Sequence, residues 1–467
     1  MEEKKRHRGI FDFVNDTKVD KVTLIIVICL FLISIVAIFS VKVYPKDAGG
    51  RISDFKEQIL FVLLGSALIW GCCRIKDIKW LMLISKYSII PAIGLLLWLV
   101  LGINIKGVLE VVDRHEAVRA LLVLGKFQLH VYEVAKVFMV MYLSWAVHTW
   151  KEDNFKLTRK IAEKHNWKWL RRPFVEEIIY IGLPIGLVFV LVLQGSNSSG
   201  IFIAIVMFFT ILIGGYSIKS TAKLLVLGCL AGLIFIGLNE ASGGKLSKSI
   251  RVETLIRRIT DFSGPSFEEQ LHAVDKEGYR ILRPGTKAYR DFIDDNLQVQ
   301  SAKIGLHEGK WPKGPGGSTQ KYVVPQYHSD FMYSFLIEEY GLLGGIFILI
   351  LFGSLLARGS FIAKNCESTY ARTAVGGLTV LISGQALMHI LVNVGMMPMT
   401  GQTLPLISDG KGAFLMFSLA FGVLLSISKF AKENIERAEK EFAPDIVESG
   451  DEIQDRMSDL DELENLE

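Results

Sequence analysis

The sequence predicts an all-α polytopic membrane protein with about ten transmembrane helices and one large extracytoplasmic loop. Three observations predict it. Hydrophobic residues make up 51% of the 467-residue chain and the mean hydropathy is +0.37, a balance that soluble domains rarely carry. The apolar residues come in blocks of roughly 18 to 25, the length that crosses a ~30 Å hydrocarbon layer at ~1.5 Å per residue. Lys and Arg gather in alternate short connections, the asymmetry that sets orientation in a bilayer.

The blocks lie at about 22–43, 55–73, 79–102, 130–148, 175–194, 199–216, 221–238, 331–357, 370–396 and 411–430. The first follows a charged lead without a small-residue cleavage site, so it reads as a retained helix. Six basic residues between Lys4 and Lys21 precede it, and eight between Lys151 and Arg172 fill the 149–174 connection. An even number of spans puts both groups on one side, the cytoplasm, together with Arg74, Lys76, Lys79, Lys219 and Lys223. Both termini are then cytoplasmic and 239–329 is the outer loop, long enough to escape the charge rule. The chain divides into a lead (1–21), a membrane domain (22–430) and an acidic cytoplasmic tail (431–467) whose composition predicts solvated disorder.

Within the outer loop, "RVETLIRRITDF" (251–262) has its apolar residues at helical spacing. It suits a helix in the headgroup layer or one packed on the loop itself. The charged stretch 264–295 contains "SGP" and "RPGT" and reads as irregular. A net charge of +4 reflects topology and points to no nucleic-acid partner. None of the five cysteines (Cys29, Cys72, Cys73, Cys229, Cys366) lies in the outer loop, so no disulfide framework is available there. No Cys/His spacing of metal-ligand type occurs either.

Ionisable residues at membrane depth are expensive and mark pathways or sites. In "HVYEVAKVF" (130–138), Glu133 and Lys136 stand three apart on one helix face, as a pair toward a polar cavity or with Lys136 snorkelling to the interface. The polar run in "LQGSNSSGIF" (193–202) suits either helix-packing contacts or a short outer loop, and the loop is the favoured reading. In "YHSDFMYSFLIEEYGLLGG" (327–345), Ser329 is placed to cap the eighth span, with Asp330 in its first turn and Glu338 and Glu339 two turns further in. Exposed N–H groups and the macrodipole stabilise a carboxylate at such a terminus. A plain helix cap and a chemical group look the same in this pattern.

His328-Ser329-Asp330-Phe331 followed by Glu338-Glu339-Tyr340-Gly341 resembles the "HTDFIF…EELG" signature of the FtsW/RodA/SpoVE family, the SEDS (shape, elongation, division and sporulation) proteins. Gly314, Gly316, Ser318, Gln320 and Lys321 resemble the family's glycine-rich approach to that motif. Gly395-Met396-Met397-Pro398, Thr400-Gly401, Leu404-Pro405 and Ser408 resemble "GLLPxTGxxLPxxS". Gly125, Glu133 and Lys136 keep the spacing of "G…QPSExxK", and Arg119 roughly matches an Arg-Trp position. Four motifs in order over roughly 20–430 are specific where any one would be weak. The chain departs from the pattern at His130-Val131-Tyr132, at the "GSNSS" run, at His389 and at Asp409-Gly410-Lys411.

The resemblance implies a SEDS fold in the bacterial cytoplasmic membrane and synthesis of peptidoglycan glycan strands. The implied substrate is lipid II, whose 4-hydroxyl accepts the growing chain from its pyrophosphate carrier. That chemistry needs a base at the hydroxyl, which the resemblance assigns to Asp330, and positive charge at the pyrophosphate. Lys136 is the first candidate for the latter, followed by Lys321 and Arg119, with a divalent cation (Mg or Mn) sharing the work. Glu133, Ser318, Gln320, His328 and Ser408 complete the expected substrate-binding set.

The Ser318-x-Gln320-Lys321 approach is closer to the FtsW branch, which implies work at the division septum. The implied partners are a class B penicillin-binding protein, other divisome proteins and membrane lipid. The alternatives are a RodA-type elongation polymerase, a lipid II flippase and a non-catalytic scaffold. A transporter is expected to show inverted repeats with matching broken helices, and the sequence has no such pairing.

Overall fold

The computed structural model describes residues 19–41, 48–114, 118–123, 127–223, 226, 260, 262–274, 280–324 and 327–431. The lead (1–18), most of the predicted seventh span (221–238), nearly all of the 251–262 segment and the tail from 432 onward lie outside them.

The membrane elements run in order as α1 (Lys21–Val41), α2 (Ala48–Cys73), α3 (Ile78–Leu101), α4 (Val131–Lys151), α5 (Lys156–His165), α6 (Pro173–Leu193) and α7 (Asn197–Ile213). After the outer-loop helices α8 (Phe267–Leu271) and α9 (Lys287–Glu308) come α10 (Met332–Lys364), α11 (Thr369–Asn393) and α12 (Lys411–Ala431). By length and composition, seven of the described helices suffice to cross a membrane: α1, α2, α3, α6, α10, α11 and α12. The shorter α7 and the charged α4 coincide with two more of the predicted spans.

In α1 the apolar character runs all round, so hydrophobicity names no face; packing does. Ile26, Val27, Leu30, Ala37 and Ile38 are buried while Ile25 and Leu32 stay exposed as a lipid-facing side. The centre of the bundle is α11, which packs on α10, α4 and α7.

Two ends can be told apart. Gly214 at the end of α7 lies between Val147 of α4 and Thr373 of α11. The Asp20 backbone N–H donates to Ser428 near the end of α12 (3.0 Å), and Arg358 pairs with the Asp20 carboxylate. Burial opposes charge on Asp20, but the Arg358 and Thr23 hydrogen bonds outweigh it and hold the carboxyl below its ordinary range. The start of α1, the 149–174 connection, the 365–368 turn and the end of α12 thus share one end, which carries the basic connections.

Several sequence expectations change at the other end. The link between the third and fourth spans forms a three-stranded antiparallel sheet, β1 (Leu109–Arg114), β2 (Val118–Val123) and β3 (Phe127–Leu129). Its short β-branched and leucine-rich runs sit between stronger apolar blocks that mask them. The 264–295 stretch is not irregular throughout: α8 opens with a capping box between Ser266 and Glu269, and Thr286 caps the start of α9.

The eighth predicted span starts later and ends later than expected, and it is two helices. Gly341 interrupts α10 with φ 78° and ψ 173°, backbone that essentially only glycine adopts, and Pro312 packs against its Cα. Glu338 and Glu339 therefore close a short helix above the kink rather than sitting inside a long one.

Candidate functional site

The Asp330 turn precedes α10, whose first helical residue is Met332. The cap position falls on Phe331 rather than on Ser329, contrary to the sequence expectation. Phe331 has no side-chain cap bond, and two of the orphan N–H groups of the first turn are met from α11. Tyr333 N–H donates to His389 Nε2 (3.3 Å), and Ser334 N–H donates to Asn393 Oδ1 (3.0 Å). Because His389 Nε2 accepts, its Nδ1 carries the proton and donates to the Gln402 carbonyl (2.7 Å).

Three consecutive carbonyls of the turn are each held by a separate donor. Asp409 N–H reaches His328 O (3.1 Å), Ser408 Oγ reaches Ser329 O (2.8 Å), and Asn393 Nδ2 reaches Asp330 O (3.1 Å). Backbone held at every residue leaves little freedom for the side chain it carries. The half-buried Asp330 carboxylate faces Gly401, where a Cβ would stand 3.6 Å from Oδ2. Gly401 has φ 65°, so a larger residue there is disfavoured by backbone strain. Leu406 in the same segment has φ 61°, an uncommon left-handed conformation for a branched residue.

Beneath the turn lies a buried polar cluster. Lys136 is 1% exposed, which settles its two sequence readings against snorkelling. Its three ammonium protons meet Glu133 Oε1 (2.7 Å), Gln385 Oε1 (2.6 Å) and Gln402 Oε1 (2.8 Å). Gln402 in turn donates to Ser199 (2.9 Å), so one residue of the 193–202 run serves helix packing while 194–196 form the short turn. Gln402 adjoins Gly401. Lys136 thus fixes the segment that faces Asp330.

A second buried cluster answers what Glu338 and Glu339 do. Both are 0% exposed, and they gather the glycine-rich loop before the Asp330 turn. Glu338 accepts from Ser318 Oγ (2.5 Å), Thr319 N–H (2.7 Å) and Lys313 (3.1 Å). Glu339 accepts from Gly316 N–H (3.0 Å), from Lys321 (3.1 Å) and from Ser40 of α1 (2.5 Å). Paired and multiply hydrogen-bonded, these carboxylates escape the penalty of an isolated buried charge.

Burial opposes charge on Lys313, but its bonds to Glu308 and Glu338 prevail and raise its pKa. The Tyr327 hydroxyl is pushed above its ordinary value by burial first and by Glu338 second. Both groups hold one charge state throughout the neutral range.

The structure thus brings Asp330, His328 and Ser408 to one turn, with His328 Nε2 3.9 Å from Asp409. Glu133 and Lys136 join it through Gln402. Ser318 and Lys321 belong to the loop anchors, where Lys321 already meets Glu339 and the Ser40 carbonyl (3.0 Å). Gln320 is half-buried in the same loop. Arg119 lies on β2 opposite Asp113, away from the residues that pair with β3.

Sequence reading missed Gln385, Asn393 and Gln402 and noted His389 only as a departure. A signal existed: Gln385, His389 and Asn393 repeat every four residues on one face of an apolar helix. Among the described residues no group of three or more His, Cys, Asp or Glu side chains forms a metal-binding cluster. The protein-only ligand set for a divalent cation is therefore incomplete among them.

Helices spanning a bilayer, a carboxylate turn clamped at one end of the bundle and a buried Lys–Glu pair beneath it define a multi-pass membrane protein with a polar site at its surface. The FtsW/RodA/SpoVE family model, described as cell cycle protein, matches residues 20–433. The chain belongs to this family. A relative named "Probable peptidoglycan glycosyltransferase FtsW" from Pseudomonas fluorescens is 25% identical over 423 residues, 86% of each chain. One of the same name from Hahella chejuensis is 38% identical over 160 residues, 33% of this chain and only 40% of that relative's length. A solved structure described as "Structural coordination of polymerization and crosslinking by a peptidoglycan synthase complex" aligns with TM-score 0.56 at 21% identity. It covers 88% of this chain and 97% of that one, a likeness of fold.

Proposed function

We propose that this protein is a peptidoglycan glycosyltransferase that polymerises lipid II into glycan strands during septal wall synthesis, with a class B penicillin-binding protein as partner. Family membership and the names of its relatives support the chemistry. The observation that carries the assignment of Asp330 is the turn in which three successive carbonyls are held by Asp409, Ser408 and Asn393.

In the step proposed, the 4-hydroxyl oxygen of an incoming lipid II attacks the anomeric carbon of the growing strand. The new glycosidic C–O bond forms as the bond to the undecaprenyl pyrophosphate breaks. Asp330 takes the hydroxyl proton, and the pyrophosphate leaves with the bonding pair. A carboxylate is a weak base, so it orients the hydroxyl and accepts the proton late in the step. The leaving charge needs cations close by. Lys136 and Lys321 serve by holding the segments around Asp330, and a divalent cation bound to the pyrophosphate would supply further neutralisation.

Purified protein given fluorescent lipid II, with and without its transpeptidase, is expected to yield glycan ladders that are stronger with the partner. A correctly folded protein that yields none in either condition, yet moves lipid II across vesicles, overturns this reading in favour of transport.

The orientation proposed has both termini in the cytoplasm and Asp330 at the outer surface. In a background lacking the native cysteines, Lys287→Cys is expected to react with an impermeant maleimide from outside, and Lys160→Cys only after permeabilisation. Labelling of both from one face would remove Asp330 from the side where wall synthesis occurs.

A further inference from the structure

A cavity of about 410 Å³ opens at the basic end of the bundle, between the ends of α7, α10 and α11 and far from the Asp330 turn. Its walls include Ile213, Leu356, Val380 and Thr379, and its rim carries Lys364 and Arg372. These two cations flank the 365–368 turn that joins the antiparallel helices α10 and α11. Leu356 and Val380 lie eight residues inward from Lys364 and Arg372 respectively, about 12 Å deeper at ~1.5 Å per residue. The site is therefore cationic at the membrane surface and apolar below it, a gradient running along the bilayer normal.

Two buried polar atoms on the residues lining this cavity have no partner: Arg372 Nε and Thr379 Oγ1. The Thr379 hydroxyl packs against the Cα of Gly359, so it marks the close approach of α10 and α11 beside the cavity. Elsewhere in the bundle Thr210 and Thr373 return their hydroxyls to Val206 O and Thr369 O, both at 2.7 Å, the usual solution in an apolar helix. Thr379 does not do so. Among the described residues Lys364 and Arg372 form no ion pair, and neither does the exposed Glu367 in the turn between them. Unpaired cations at a membrane surface attract anionic headgroups, and basic pockets between helices hold them.

We propose that this cavity is a binding site for an anionic phospholipid of the leaflet at the basic end of the bundle. The phosphate is held between Lys364 and Arg372, and the proximal part of an acyl chain lies along Leu356, Val380 and Ile213. The site is independent of the Asp330 chemistry.

The test uses the full-length protein, delipidated in detergent and followed by native mass spectrometry with added phosphatidylglycerol or phosphatidylcholine of identical chains. Wild type is expected to retain phosphatidylglycerol preferentially. A Lys364→Gln/Arg372→Gln variant should lose that preference, by about 30-fold for two cations near the surface. Arg372 Nη2 also donates to Cys366 O (3.2 Å); Arg372→Lys should keep the preference, which separates charge from that bond. Val380→Trp should reduce retention of both lipids.

Equal retention of the two lipids by wild type, or an unchanged preference in the double variant, overturns the proposal. Displacement of the lipid by millimolar glycerol phosphate would show a site for free phosphate and overturn it too. Efficient crosslinking of Val380→Cys to a cysteine placed in 228–238 would mean that the chain itself fills the groove, which equally overturns a lipid site.

Discussion

An Asp330→Asn protein is expected to insert, fold and bind lipid II yet polymerise it about 10²–10⁴-fold more slowly, the usual contribution of a positioned acid–base group. Asparagine keeps the shape and the hydrogen-bonding reach of the side chain but cannot accept the proton. The structure sharpens this test. In the sequence, Asp330 could have been no more than a helix cap, and asparagine caps nearly as well as aspartate. In the fold, His389 and Asn393 of α11 meet the Tyr333 and Ser334 N–H groups. The backbone of the turn is held by Asp409, Ser408 and Asn393, none of which the substitution touches. Stability and substrate binding should therefore survive it. Polymerisation within about threefold of wild type by a well-folded Asp330→Asn protein, well short of the loss expected of an acid–base group, would end its assignment as the base.

Removing either member of the Lys136–Glu133 pair has the second-largest expected effect. Lys136 is 1% exposed and donates to three acceptors on three segments of chain. Lys136→Ala leaves the Glu133 carboxylate buried without its counter-charge, and Glu133→Ala strands the ammonium; each is expected to cost about 3–5 kcal/mol. The double variant should cost less than the sum, because neither charge is then left alone. Thermal or denaturant unfolding of the four proteins in one detergent measures this directly. Effects that simply add would show that the two charges are not coupled. Lys136→Met separates the roles further: it keeps the volume but releases Gln402, so the loop facing Asp330 should loosen and activity fall more than stability alone predicts.

The spans were the most legible part of the molecule. Around each, the sequence states its requirement locally, because twenty apolar residues in lipid have one way to satisfy their backbone hydrogen bonds. The i, i+3 pairing of Glu133 with Lys136 was legible for the same reason, since helical geometry alone brings them together. The sheet over 109–129 was not, because its strands are short and their partners lie in neighbouring segments rather than in a periodic pattern. Glu338 and Glu339 were visible as an anomaly but not as anchors. Their partners Ser318, Thr319, Lys321 and Ser40 stand from 18 to 299 residues away in the chain.

The sequence by itself determined that this chain crosses a membrane many times and that a carboxylate waits at the mouth of one helix. Only the tertiary structure decided what surrounds that carboxylate. The cap of α10 comes from α11, the carbonyls of the Asp330 turn are held by Asn393, Ser408 and Asp409, and Gln402 links the turn's neighbour to Lys136. The physical reason is range. Helix formation in lipid is a local consequence of composition, whereas a held carboxylate needs donors that the chain brings together only after it has packed.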